Sequence, residues 1–339
     1  MTRRKTGWRL RPVAAGLAAL VAGVLLPAGA QAQAADPSKW AALGDSYTAG
    51  LFVGAPRPPL DSPDRDGCDR TTNSYPDLVR RALGPSVQLT NVSCGGATIE
   101  NIADSGQQPL SPVDPPADGW AKVDPQIERA GLDQTTDVVT IGVGGNTLGF
   151  AEILVRCVKD GLFGRYCLNH FEYEIGQRYE RVLTEYEAML EAVHDAAPNA
   201  KVITIGYPSV LPGKPEDCGR GDLTELATIG KDDLDWLWGV HANLNEIIKT
   251  VTDERGDRFV DLAASSEGHD ACQPAGTKWV TGICGQAEDF WPPNIPLADL
   301  PPLPCPGNTR ATLVHPNAAG HANTAKQVET AIRAELQKS

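Results

Sequence analysis

Past residue 34 the chain has no run approaching the roughly 20 consecutive apolar residues that cross a bilayer, which argues against an integral membrane protein. Basic residues are in short supply: 30 Lys and Arg stand against 43 Asp and Glu, for a net charge of −13. Phosphate recognition rests on clustered Lys and Arg, so nucleic acid is a poor partner, and anionic membrane surfaces attract such a chain little. No Cys-x-x-Cys pair occurs, which weakens a zinc or thiol-redox reading. No internal repeat and no shift in composition marks a second domain, so a single domain is expected after the N-terminal segment.

That N-terminal segment has the layout of a secretory signal peptide. Arg3, Arg4, Lys5, Arg9 and Arg11 form a positive region, and Val13 to Leu26 is an apolar run of 14 residues. Ala32-Gln33-Ala34 supplies a small-x-small cleavage site, with the cut expected before Ala35. Residues 1–34 are therefore read as leader and 35–339 as the mature domain. Arg3-Arg4 suggests a twin-arginine signal, but no apolar pair follows, so that route ranks second. No cysteine lies near the cleavage site, which argues against a lipid anchor. Cleavage removes five basic and no acidic residues, taking the charge from −13 to −18.

Eight cysteines remain, an even count that in an exported chain reads as disulfides. Spacing alone does not choose among the 105 pairings open to eight cysteines. The preferred reading is sequential: Cys68 with Cys94, Cys157 with Cys167, Cys218 with Cys272, and Cys284 with Cys305.

Five runs read as buried strands: Trp40–Leu43, Val87–Val92, Asp137–Ile141, Lys201–Ile205 and Arg258–Leu262. Helices are expected over Pro76–Ala82, Pro125–Ala130, Tyr173–Ala196 and His315–Leu336, with one or two across Leu223–Val251 and partial helix over 150–170. Residues 263–312, rich in Gly, Pro and Cys, read as a long surface excursion pinned by disulfides. Strands alternating with helices indicate a parallel sheet covered on both faces. In such sheets ligands gather beyond the carboxyl ends of the strands. Three strands end in marked features: Gly44-Asp45-Ser46, Cys94-Gly95-Gly96-Ala97 and Gly144-Gly145-Asn146.

A serine ester hydrolase needs a nucleophile, a base, and donors for the oxyanion. Ser46, on a glycine-flanked turn at the mouth of a strand, is the nucleophile candidate, against the plainer reading of a helix cap. His315, in Leu313-Val314-His315-Pro316-Asn317 before the last helix, is the base candidate. The N–H groups of Ser46 and Gly96 and the Asn146 amide are the candidate oxyanion donors.

These four blocks, in order and across nearly the whole mature chain, resemble the SGNH (GDSL) hydrolase superfamily, and above all its secreted actinobacterial lipases and esterases. The resemblance implies a flavodoxin-like, three-layer α/β/α sandwich of about five parallel strands. It also implies Ser46 as nucleophile, His315 as general base, and an oxyanion hole of Ser46, Gly96 and Asn146. A monomeric, cofactor-free and metal-independent enzyme is expected, acting on carboxylic esters of lipids through an acyl-enzyme, without a stable membrane anchor. Phospholipase and carbohydrate acetylesterase activity on the same site are the alternatives. A catalytically silent secreted binding module is the reading from another class.

Two positions depart from the family pattern. Where its last block has Asp three residues before the His, this chain has Thr312. A main-chain carbonyl of Thr312 is expected to orient His315 instead, with a carboxylate from Asp270 or Asp261 as the competing idea. Thr147 stands where the family commonly has Asp. Asp45 is read as a turn-stabilising group. His269 and His321 are read as structural, and His170, His194 and His241 are given no role. Trp236, Trp238, Trp279 and Trp291 are read as packing residues, with the lining of an acyl site as the alternative.

Overall fold

The computed structural model describes residues 37–286, Cys305 and 307–338, with Thr2 and Gly7. Apart from Thr2 and Gly7, the leader expected at 1–34 lies outside the described residues, as does Trp291. Five strands form one parallel sheet: β1 Ser38–Gly44, β2 Val87–Asn91, β3 Val138–Gly142, β4 Lys201–Ile205 and β5 Arg258–Val260. Their order is β2-β1-β3-β4-β5, so β1 has β2 on one side and β3 on the other. The chain leaves β1 for β2 and then crosses back to β3, which opens a crevice past the carboxyl ends of β1 and β3, the switch point of such sheets.

Strand alternation assigns the layers. Trp40, Ala42, Val138, Ile203 and Ile205 pack with α1 (Tyr75–Leu83) and the last helix. On the other face Ala41, Leu43, Val139, Ile141 and Val202 meet α3 (Ile175–Ala196) and α4 (Lys231–Arg255). The only hydroxyls inside strands β3 and β4 are matched: Trp40 Nε1 donates to Thr140 Oγ1 at 2.9 Å, and Thr204 Oγ1 meets Thr252 Oγ1 at 2.6 Å. This is the expected three-layer sandwich. The remaining principal helices are α2 (Phe150–Leu162) and α5 (Ala318–Leu336).

A second apolar core joins α2, the start of α4 and the segment before the last helix, through Ile153, Leu154, Leu237, Val280, Ile283 and Val314. The stretch 263–312 is therefore no surface excursion where it is described. Ala271, Cys272, Val280 and Ile283 are buried, and β6 (Cys284–Gln286) pairs antiparallel with β7 (Thr309–Ala311). The helix expected from Leu223 begins only at Lys231, because the carbonyls of Leu223 and Glu225 accept from Cys284 and Ile283 instead. The strand expected to reach Leu262 stops at Val260, since Asp261 caps the turn that follows by accepting from Ala264 N at 2.9 Å. The four disulfides are Cys68–Cys94, Cys157–Cys167, Cys218–Cys272 and Cys284–Cys305, the sequential pairing.

Candidate active site

Ser46 follows β1 as the first residue of a single helical turn, Ser46–Ala49, that Asp45 caps by accepting from Tyr47 N at 2.9 Å. The turn needs glycine before it. Gly44 has φ +148°, and a Cβ there would stand 2.3 Å from Thr48 Oγ1 and 2.4 Å from the Gly142 carbonyl. The Gln126 side chain clasps the same glycine, accepting from its N–H at 2.8 Å and donating to its carbonyl at 2.9 Å.

Ser46 Oγ lies 2.8 Å from His315 Nε2, although 269 residues separate them in sequence. His315 Nδ1 faces the carbonyl oxygens of Thr312 at 2.8 Å and Leu313 at 3.1 Å. The backbone is forced to make this arrangement: Leu313 and Val314 have φ +50° and +62°, costly for side-chain-bearing residues and most of all for a β-branched one. The strained turn is held from both ends. Tyr47 donates its hydroxyl to the Val314 carbonyl at 2.6 Å, and Val314 and Thr312 donate their N–H groups to Gly282 and Ile283. Burial lowers the His315 pKa to about 4, against the opposing pull of the Thr312 and Leu313 carbonyls. At neutral pH the ring is thus neutral. With its Nδ1 proton donated to carbonyl oxygen, Nε2 is left as a lone-pair acceptor for the Ser46 hydroxyl.

Both carboxylates that competed for the role of orienting acid are occupied elsewhere. Asp270 accepts from Cys272 N at 2.9 Å and from Gln273 Nε2 at 3.1 Å, and Asp261 caps its own turn. Asp45 is likewise a turn residue. Its second oxygen accepts the Tyr207 hydroxyl at 2.5 Å, and desolvation raises its pKa to about 6 even though that bond and the Tyr47 N–H pull it down.

The oxyanion candidates gather at the same sheet edge. Cys94 N donates to the Gly44 carbonyl at 3.0 Å, and the Cys68–Cys94 disulfide ties this block to the loop after Ser46. Gly96 takes φ +77°, and its N–H, like that of Ser46, has no hydrogen-bond partner among the described residues. Asn146 donates one amide proton to the Ala97 carbonyl at 2.9 Å, which orients the group and leaves its second proton uncommitted. Thr147 accepts from Ile99 N at 2.9 Å, so it links the Gly96 and Asn146 blocks without a carboxylate.

A cleft enclosing about 650 Å³ of unfilled space, part of it open to solvent, adjoins Ser46, Asn146 and His315. Its walls are mainly apolar, with Phe150, Leu154, Val155, Val210, Leu244 and Val314 among them. Sequence reasoning missed Tyr47 and Tyr207 as site residues. A signal for Tyr207 was available, since it stands two residues past the end of β4 at the same sheet edge. His241, given no role, also lines the cleft; burial lowers its pKa to about 4, and its Nε2 has no partner. His321 is fully buried and lowered to about 3 by desolvation and then by the charge of nearby His315. His269 stacks on Trp279 with ring centroids 3.5 Å apart, and Trp236 stacks on Phe171, as packing residues do.

A serine and a neutral imidazole in hydrogen-bond contact at the carboxyl edge of a 2-1-3-4-5 parallel sheet define the class: this is a carboxylic ester hydrolase of the α/β/α type. Sequence comparison gives the family. The GDSL-like Lipase/Acylhydrolase family matches residues 42–322, and the chain belongs to it. Lipase 2 of Streptomyces coelicolor is 30% identical over 74% of this chain and 78% of its own length. An esterase of Streptomyces scabiei is 31% identical over 94% of this chain and 92% of its own. Among solved structures, phospholipase A1 of Streptomyces albidoflavus shares the fold with a TM-score of 0.55 at 21% identity, covering 88% of this chain and 99% of that one. An extracellular lipase of Streptomyces rimosus does so at 0.54 and 22%.

Proposed function

We propose that this chain is a secreted, monomeric serine lipase or esterase that cleaves carboxylic esters of lipids through an acyl-enzyme. The observation that carries the reading is the 2.8 Å contact of Ser46 Oγ with His315 Nε2, in a ring whose Nδ1 is held 2.8 Å from the Thr312 carbonyl. Ser46 Oγ attacks the ester carbonyl carbon while its proton passes to His315 Nε2. The tetrahedral oxyanion is met by the Ser46 and Gly96 N–H groups and the Asn146 amide. Collapse breaks the ester C–O bond, and the leaving alcohol takes the proton from His315. Water then enters by the same route, giving its proton to His315 and releasing the acid and free Ser46. The apolar walls beside the serine suit an acyl chain rather than a sugar.

Export is supported by the leader-like N-terminus and by four disulfides. Among the described residues no helix is long and apolar enough to cross a membrane. The deciding experiment treats purified enzyme with an alkyl fluorophosphonate and maps the adduct. One label per chain at Ser46, with loss of turnover on p-nitrophenyl esters, is expected. Label elsewhere, or none, overturns the assignment and favours a silent binding module.

A further inference from the structure

Helix α2 starts in the cleft, where Phe150, Ala151, Leu154 and Val155 form part of the wall. At about 3.6 residues per turn, Ala151, Val155 and Leu162 fall on one stripe of that helix. Ala151 and Leu162 are exposed and Val155 is half-buried, so an apolar track leads from the cleft to the helix end. There the chain turns and is closed on itself by the Cys157–Cys167 disulfide. Leu162, Phe163, Tyr166 and, just beyond, Tyr173 are 64%, 72%, 48% and 87% exposed. Among the described residues only Leu110, Leu183 and Trp238 are other large apolar side chains left this open. Scattered exposed apolar residues need no explanation, but four within one short segment beside an active-site cleft do.

Charge narrows the partner. The chain as a whole is strongly acidic at −13, whereas the segment 159–173 is balanced, with Lys159 and Arg165 against Asp160 and Glu172. Asp160 is buried and bound by Arg156 at 2.6 Å. Lys159 and Arg165 are exposed, and the Arg165 guanidinium lies over the Phe163 ring at 5.4 Å. Leu and Phe flanked by Tyr hydroxyls and long cationic side chains match a surface that is apolar underneath and phosphate-bearing at its boundary.

We propose that residues 159–173 form a lipid-docking surface, which seats the enzyme on a zwitterionic lipid aggregate with Leu162 and Phe163 among the acyl chains and Lys159 and Arg165 at the phosphates. The proposal rests on the lipid-ester reading of the site. Docking by this face sets the apolar track of α2 between the aggregate and Ser46, so an acyl chain reaches the cleft without full exposure to water. The disulfide closure lowers the ordering cost of docking, because little chain freedom remains to be lost.

The test measures co-sedimentation with phosphatidylcholine vesicles alongside turnover of soluble p-nitrophenyl acetate, for the intact mature enzyme and two variants. Leu162→Asp/Phe163→Asp is expected to lower vesicle partitioning by about tenfold or more. Turnover of the soluble ester should stay within about twofold, as for other surface changes. Tyr166→Asp/Tyr173→Asp, at exposed positions on the same segment, should lower partitioning in the same direction and keeps the test decisive should the first variant fail to fold. Equal sedimentation of variants and wild type overturns the proposal, as does a wild type that stays in solution. It is also overturned if ultracentrifugation shows a wild-type dimer that these variants dissociate, since a second copy would then cover the face. Loss of turnover in the wild type would instead count against the hydrolase reading, while partitioning still reports on the docking surface.

Discussion

The Tyr207 hydroxyl donates to Asp45 Oδ2 at 2.5 Å and accepts the Gly145 N–H at 2.8 Å. One buried phenol thereby couples the turn that carries Ser46 to the turn that carries Asn146. A neighbouring tyrosine makes the third connection, because Tyr47 packs edge-on to Tyr207 at 5.1 Å and reaches the Val314 carbonyl beside His315. Three stretches far apart in the chain are thus tied by two side chains that touch each other.

Tyr207→Phe should therefore damage both folding and catalysis. It leaves Asp45 Oδ2 and the Gly145 N–H without a partner in a buried place, at a cost of about 2 kcal/mol or more. A clear drop in Tm is expected, with kcat falling more than KM rises as the Asn146 turn loosens. An unchanged kcat in a folded variant would show that the two turns hold their geometry without the phenol.

Removing the amide at Asn146 tests the oxyanion assignment. Asn146→Ala should lower kcat by about a hundredfold to a thousandfold with little change in KM, because the donor acts where charge develops. An effect on KM alone would place Asn146 in substrate binding instead.

In the proposed mechanism the group that orients His315 is the Thr312 main-chain oxygen, so side-chain deletion should spare it. Asp270→Ala and Asp261→Ala should keep kcat within a fewfold of wild type while losing stability, since each accepts local N–H bonds. Thr312→Ala removes a hydroxyl that donates to the Gly282 carbonyl at 3.0 Å, costing about 1 kcal/mol, and should leave turnover largely intact. A collapse of kcat at either Asp, in a folded protein, would restore the carboxylate idea.

In the proposed mechanism His315 must be neutral to act as base, and burial lowers its pKa to about 4. Activity is lost as pH falls through that value and is full above it, so the acid limb of kcat/KM should lie well below the 6.5 of an ordinary imidazole. Asp45, raised to about 6, titrates in the same range. The profile is best measured in Asp45→Asn, where the surviving limb belongs to His315. A limb at 6.5 or above in that variant would contradict a desolvated base.

Much of this was legible in the chain itself. Strand runs with β-branched residues, glycines at strand ends, and an even cysteine count are local signals. They sufficed for the parallel sheet and for disulfides as such, whereas the sequential pairing was a preference among 105 and Ser46 and His315 were singled out by the motif blocks they stand in. What failed was of another kind. The start of α4 was placed too early, at Leu223 rather than Lys231, because the carbonyls of Leu223 and Glu225 are spent on residues 283 and 284. The stretch after 263 looked like surface because Gly and Pro mark turns, whereas its few apolar residues build a second core.

The sequence by itself determined which groups could do the chemistry, since a nucleophilic serine and its base need particular residue types on turns that glycine permits. Only the tertiary structure decided how they are oriented. The acceptor for His315 is a backbone carbonyl, a group every residue has, and its aim depends on the positive φ of Leu313 and Val314. The clasp of Tyr47 and Tyr207 depends on distances across more than a hundred residues of chain. The carbonyl showed in the sequence only as the missing Asp at Thr312 and the clasp not at all, because both geometries arise when separately built strands and loops meet at one edge of the sheet.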